Sequence, residues 1–391
     1  MINAKCTLNA FREVVAKNKC ICFGCGLQGI RMLDIMENWG LRERIVAFVD
    51  NDEKKQGKRI KHEDYEYSII SVPQMLEIID SNTIIVITNM AITEIRNQLN
   101  QYKALDGILS YSLGEIAQQQ LIASNYNGVI RNYDNAIIPK KIHYIWLGGE
   151  MPENLKKNVE QWHQMCPDYE IIKWDEKNYN FEKNLYMKEA FLQKKWGFVP
   201  DYARLDIVYR YGGIYLDTDI ELAKKPDDLL YQNGFAIHDG SLLMNFGAGF
   251  GAAVGLPIIK ELRDYYDTQH FLNEDGTCNM LPCTGYSYQV LKRYGYQVDD
   301  SLQTIEGLNI YPMLMGGTCT YTMQKRVTEK TYFIHYGTAT WLEDKHRNSR
   351  IQLSECVGEE KLISYQFEKE AKKMEKLYVR DTYTHVWGGG V

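Results

Sequence analysis

The stretch Phe198-Val-Pro-Asp-Tyr-Ala-Arg-Leu-Asp-Ile-Val-Tyr-Arg-Tyr-Gly-Gly-Ile-Tyr-Leu-Asp-Thr-Asp219 reads as a helix, a reversal and a strand. Pro200 in the first turn and Gly212-Gly213 just past the end bracket a helix over residues 200–211. Residues 214–216 are a short apolar strand that runs into Asp217-Thr218-Asp219. Strand ends are where α/β sheets bind ligands. Two carboxylates two residues apart at such an end present oxygens to one hard cation, Mg²⁺ or Mn²⁺. A cation of this kind keeps waters and binds substrate phosphates. Asp201 and Arg204 are three residues apart on the helix and share a face. The reversal delivers Asp217 to the same rim. On spacing alone the Asp201/Arg204 pair reads equally well as a surface ion pair of little worth.

Working outward, residues 141–146 (KIHYIW) form a strand closed by Gly148-Gly149, and residues 152–165 a helix opening at Pro152. Residues 169–174 (YEIIKW) form a second strand, and residues 184–196 are helical. A charged helix over residues 359–378 closes the chain. Before all of this, residues 1–125 alternate strand and helix. Strands fall at 19–23, 45–49, 67–70 and 83–88, helices at 27–39, from Pro73, at 92–99 and at 114–123. That rhythm argues a parallel sheet with helices on both faces. The Asn/Gly-rich patch Asn125-Tyr-Asn-Gly128 separates the two units, so the expected domains are 1–125 and 135–391, the second including the C-terminal helix.

Composition bounds the rest. The 391 residues carry 45 Lys+Arg against 51 Asp+Glu, a formal net charge of −6, which argues against nucleic acid as the main partner. The chain shows neither a signal peptide nor a membrane-spanning run. Nine scattered cysteines suit a reducing cytoplasm. Cys20, Cys22 and Cys25 cluster without a fourth ligand at zinc-finger spacing. Peripheral membrane association and homo-oligomerisation stay open.

Four blocks in order carry a family resemblance: Ile138 to Gly149 (IPKKIHYIWLGG), Phe198 to Asp219, Pro282-Cys-Thr-Gly285, and His335 to Trp341 (HYGTATW). Over about 200 residues they resemble the DXD-type glycosyltransferases of family 32, which include bacterial capsule and polysaccharide transferases. The catalytic core of the glucosylating clostridial toxins is related. The resemblance implies a GT-A fold behind the Rossmann-like N-terminal domain. It also implies retaining sugar transfer from a UDP- or GDP-sugar to a glycan or lipid-linked acceptor in surface polysaccharide synthesis. Carried over by position, Trp146 would stack on the nucleotide base. Asp201 and Arg204 would hold sugar hydroxyls, and Tyr215 and Asp217 would line ribose and sugar. Asp217 and Asp219 would bind the metal, His335 the metal or diphosphate, and Trp341 the diphosphate. The toxins close with a carboxylate and a hydroxyl, whereas this chain offers His335, Thr338 and Thr340, so the third metal ligand stays open.

The N-terminal unit has its own motif. Gly24-x-Gly26-x-x-Gly29 follows a strand and opens a helix, and Asp50 ends the next strand. That context matches a dinucleotide fingerprint, with a pyrophosphate at the helix N-terminus and Asp50 on a ribose. Asp50-Asn-Asp52 otherwise reads as a solvated surface loop. Two other functions stay open: an NAD-dependent sugar-nucleotide oxidoreductase using the Gly24 loop, and an effector that glycosylates a protein. The unit supplies no convincing catalytic partner beside the loop, which favours a regulatory, positioning or docking role.

Overall fold

The computed structural model describes residues 1–89, 91–240, 242–319 and 324–337. The chain divides into two compact units, one formed by Met1–Gln120 and the other beginning at Leu121. The mixed α/β architecture expected from the sequence is present, with one seven-stranded, mostly parallel or mixed sheet in each unit.

In the first unit the elements run β1 (Ile2–Asn3), α1 (Leu8–Lys17), β2 (Lys19–Phe23), α2 (Leu27–Asn38), β3 (Ile45–Val49), β4 (Arg59–His62), β5 (Tyr65–Ile70), α3 (Val72–Ile78), β6 (Thr83–Ile87), α4 (Ile92–Leu99), β7 (Leu109–Ser112) and α5 (Leu113–Ala123). The sheet order is β1-β7-β6-β2-β3-β5-β4, parallel except for the β4–β5 hairpin. The central strands KCICF, IVAFV and TIIVI are apolar almost throughout because helices cover both faces. The order reverses between β2 and β6, and the Gly24 loop leaves the sheet at this point.

The second unit continues with β8 (Lys141–Ile145), α6 (Glu153–Met165), β9 (Glu170–Trp174), α7 (Leu185–Leu192), α8 (Val199–Tyr211), β10 (Gly213–Tyr215), β11 (Ile220–Leu222), β12 (Gly234–Ile237), β13 (Phe250–Ala252), α9 (Pro257–Asp264), α10 (Cys283–Leu291), β14 (Gln303–Ile305), β15 (Leu308–Tyr311), β16 (Thr318–Cys319), β17 (Gln324–Lys325) and β18 (Phe333–His335). The main sheet is ordered β14-β15-β12-β13-β10-β8-β9. β10 runs parallel to β8 and antiparallel to β13, and so lies inside the sheet. Ile142, Trp162, Ile214, Leu216, Phe235 and Phe333 are part of the core beneath it.

Helix α8 has no exposed face over its first ten residues. Val199 to Val208 are all buried, so the amphipathic stripe of a surface helix is missing. Its polar members are paired instead. Asp206 is bonded by Tyr179 and Lys183 and faces Arg263. The helix stops where expected. Gly213 sits at φ +97°, and a Cβ there would lie 2.9 Å from Lys141 Cβ and 3.0 Å from His143 Nε2. The buried His143 imidazole fixes the reversal: its Nε2 lies 2.8 Å from Gly212 O, while Trp174 Nε1 donates to its Nδ1.

Several expectations are corrected. The helix expected over 184–196 ends at Leu192, with Lys194 in the left-handed region. β1, β4, β7 and α1 were not expected. The charged helix expected over residues 359–378 lies outside the described residues. No helix among the described residues is long and apolar enough to cross a membrane.

Candidate active site

The Asp217-Thr218-Asp219 turn leaves β10 at its carboxyl end. Leu216 N donates to His143 O and Ile220 N to Asp217 O, closing the turn tightly. Helix α6 braces it from one side: Asn158 Nδ2 donates to Thr218 O, and the fully buried Trp162 donates its indole N–H to Ile220 O. From the other side comes β18, antiparallel to β11 with His335 opposite Ile220. Tyr336 N donates to Asp219 O. This two-stranded ribbon carries an imidazole to a carboxylate far away in sequence. His335 Nε2 lies 3.5 Å from Asp219 Oδ1. One ligand atom from each of Asp217, Asp219 and His335 falls within 4.8 Å of the others. Two carboxylates and an imidazole so close fit a divalent cation, and cost electrostatic energy without one.

Arg204 stands behind this cluster with its side chain 4 % exposed. Its Nε donates to Pro200 O, Nη2 to Asp201 Oδ1 at 3.2 Å and Nη1 to Asp217 Oδ2 at 3.4 Å. Tyr215 Oη donates to the other Asp217 oxygen at 2.9 Å, and the guanidinium lies 5.1 Å from the Tyr215 ring centroid. The bland alternative of a surface ion pair is therefore corrected: Asp201 and Arg204 are both buried. Burial pushes the Asp201 carboxyl up, Arg204 pulls it down and Asp217 adds to the rise, leaving it at about 7. Burial also raises Asp217, against the pull of Arg204 and with a further push from Asp219.

One part of the site escaped the sequence reading. The loop before β13 places Gly247 against Arg204 and Asp217, with Asn245 bonded to it. Asn245 Nδ2 donates to Asp239 Oδ2, and Asn245 Oδ1 accepts from Gly247 N and from Cys283 Sγ. Cys283 opens α10, so the Pro282-Cys-Thr-Gly285 block does reach this loop. The loop has no periodicity, and the only signal was an asparagine two residues before a glycine.

Trp146 lies just beyond β8, half-buried, with its indole N–H donating to Gly149 O. Trp341, Thr338 and Thr340 lie outside the described residues.

In the first unit, Gly24 has φ +110°, and a Cβ there would stand 2.6 Å from Thr88 O. Gly26 caps α2, and a Cβ on Gly29 would stand 2.7 Å from Gly24 O. Tight turn and close helix packing are thus both real. The surface-loop reading of Asp50 is corrected, because Asp50 is buried. Its Oδ2 accepts from Cys25 Sγ at 2.9 Å and Lys55 Nζ at 3.0 Å, and its Oδ1 from Asp52 N. Burial would raise its pKa, but Lys55 and these hydrogen bonds outweigh burial and hold it below the usual range. The carboxylate expected to meet a ribose is already engaged within the unit.

Comparison with known proteins finds matches in the second unit. Residues 152–236 match the family described as glycosyltransferase sugar-binding region containing DXD motif. Inositol phosphoceramide mannosyltransferase 3 of Schizosaccharomyces pombe is 31% identical over 155 residues, 37% of this chain and 43% of that protein. Subversion of eukaryotic traffic protein A of Legionella pneumophila is 32% identical over 130 residues, 26% of this chain and 20% of that protein. The chain thus spans less than half the length of these relatives. A solved structure, the PaToxG glycosyltransferase, aligns over 51% of this chain and 79% of its own at 16% identity and a TM-score of 0.35. The strand-end Asp217 and Asp219 fall within the segment of the second unit that matches this DXD-containing sugar-binding region.

Proposed function

We propose that the second unit moves a sugar from a nucleoside-diphosphate donor to a hydroxyl of a glycan or lipid-linked acceptor, with a divalent cation and with retention of anomeric configuration. The supporting observation is the convergence of Asp217, Asp219 and His335 within 4.8 Å beside the buried Arg204–Asp201 pair. A bound Mn²⁺ or Mg²⁺ would neutralise charge developing on the departing diphosphate.

The chain's own residues have separable tasks in this reading. Asp217 is oriented by Tyr215 and Arg204, so its carboxylate is fixed before any ligand arrives. Arg204 sits out of water, where its charge acts more strongly than at a surface. Asp201, with a pKa near 7, can accept or donate a hydrogen bond to a sugar hydroxyl. Trp146 offers a half-exposed ring for a base. The yeast relative is named for mannosyl transfer to inositol phosphoceramide, which supports a lipid-borne hydroxyl as acceptor. Surface polysaccharide synthesis at the cytoplasmic membrane face accommodates such an acceptor.

The test is product analysis. The protein is incubated with UDP- and GDP-sugars, Mn²⁺ and a panel of lipid-linked and free glycans, and the linkage is read by NMR. An α-linked donor should give an α-linked product, and a β-linked product contradicts retention.

A further inference from the structure

A second cluster of metal-ligand type lies in the first unit, outside everything described above. Asp34 and Glu37 are three residues apart on α2 and so project from one face of the helix. His62 ends β4, the outer strand of the hairpin, in register with Tyr65 of β5. Helix and hairpin are separate elements, yet His62 Nε2 stands 3.2 Å from Asp34 Oδ1 and 4.0 Å from Glu37 Oε2. One ligand atom from each residue falls within 4.8 Å of the other two. The His62, Asp34 and Glu37 side chains are 1 %, 4 % and 14 % exposed.

We propose that Asp34, Glu37 and His62 bind one divalent transition-metal ion of the zinc type, which clamps α2 to the β4–β5 hairpin. Zinc bonds to imidazole nitrogen and carboxylate oxygen are about 2.0–2.2 Å, which puts neighbouring ligand atoms about 3–3.5 Å apart. The Asp34–His62 pair is at that spacing. Glu37 is the most exposed of the three and needs to close on His62 by about half an ångström to reach that spacing. The donor set selects among metals. An imidazole nitrogen with two carboxylates suits zinc or manganese, whereas magnesium prefers an all-oxygen shell with several waters. Three protein ligands leave one tetrahedral position for water. This inference is independent of the sugar-transfer reading.

The test uses the full chain carrying Asp219→Asn, which silences the other candidate cluster whatever its role. Metal is stripped with a chelator, and Co²⁺ is titrated as a spectroscopic stand-in for zinc. The expected result is one equivalent bound, with visible ligand-field bands, no thiolate charge-transfer band and a higher unfolding midpoint. Adding Glu37→Gln, which keeps the side chain's shape at the most exposed position, should weaken binding by about tenfold or more. Melts in chelator establish that this variant is folded. No uptake, thiolate bands that place cobalt on cysteine, or an affinity unmoved by Glu37→Gln would each overturn the proposal.

Discussion

Gly247 makes room for the Asp217 carboxylate: a Cβ at position 247 would stand 2.6 Å from Asp217 Oδ2 and 2.8 Å from Arg204 Nη1. No contact that close survives, so Gly247→Ala must displace the carboxylate, the guanidinium or the loop. The loop is tethered, because Asn245 accepts from Gly247 N and is itself bonded to Asp239. The strain therefore falls largely on Asp217 and Arg204. A displacement near 1 Å at a reacting centre costs about a hundredfold in rate. Gly247→Ala should lower kcat for donor turnover by about that factor while its circular dichroism stays that of the parent. Unchanged turnover in the folded variant would separate this loop from the chemistry.

Asp201 makes a pH prediction. Its folded pKa of about 7 lies above the ordinary value of a carboxyl, so between these values the folded chain holds a proton that the unfolded chain has lost. Stability from this residue is greatest at acid pH and falls as pH rises through that window. Asp201→Asn removes the titration. Relative to the parent, the variant should gain stability progressively from about pH 4 to about pH 7. Urea melts across that range give the difference, and a constant difference contradicts the shifted pKa.

His143 runs the other way. Burial holds its pKa at about 4, below the ordinary imidazole value, against a smaller upward pull from Gly212 O. Here the unfolded chain binds the extra proton, so the stability contributed is complete above about pH 6.5 and is lost as pH falls toward 4. His143→Gln should flatten this acid limb in the same melts. A parallel curve would show that His143 does not carry it.

Trp146 separates base stacking from core packing. The ring is half-buried, and its indole N–H donates to Gly149 O. Stacking on a base is worth ~1–3 kcal/mol. Trp146→Ala should weaken UDP or GDP binding by about ten- to a hundredfold with little change in melting temperature. A large drop in melting temperature with unchanged affinity would make it a structural residue.

The legible and illegible parts of the fold divide on physical grounds. Helix α8 could be read because proline and paired glycines mark its ends chemically, whatever it packs against. The strands IVAFV and TIIVI could be read because burial on both faces demands an unbroken apolar run. β4 could not, since Arg59-Ile-Lys-His62 lies at a sheet edge and carries solvent-facing charge. β1 and β7 are two and four residues long, too short for a period to show. In the site, spacing within one stretch set Asp217 and Asp219 at a strand end and Asp201 and Arg204 on one helix face, but it left the latter pair equally readable as a surface ion pair until the resemblance gave it a role. His335 came only from the resemblance, because its partnership depends on β11 pairing with β18. Gly247 acts through a missing Cβ and Asn245 through side-chain bonds within its own loop and to Asp239 and Cys283, which leave no periodic residue pattern. Asp50 looked exposed because the turn around it is polar, and its burial depends on Cys25 and Lys55 folding over it.

The central claim is that Asp217, Asp219 and His335 hold the cation on which donor turnover depends. Its most direct measurement is hydrolysis of a UDP- and GDP-sugar panel, without acceptor, by the parent and by Asp219→Asn, with Mn²⁺ and with EDTA. The account predicts hydrolysis of at least one donor by the parent with Mn²⁺, abolished by EDTA. It also predicts that Asp219→Asn lowers that hydrolysis by a factor of about a thousand or more, the scale of losing a main electrostatic contact to the leaving group. Hydrolysis that persists in EDTA, or that survives Asp219→Asn at the parent's rate, would contradict it.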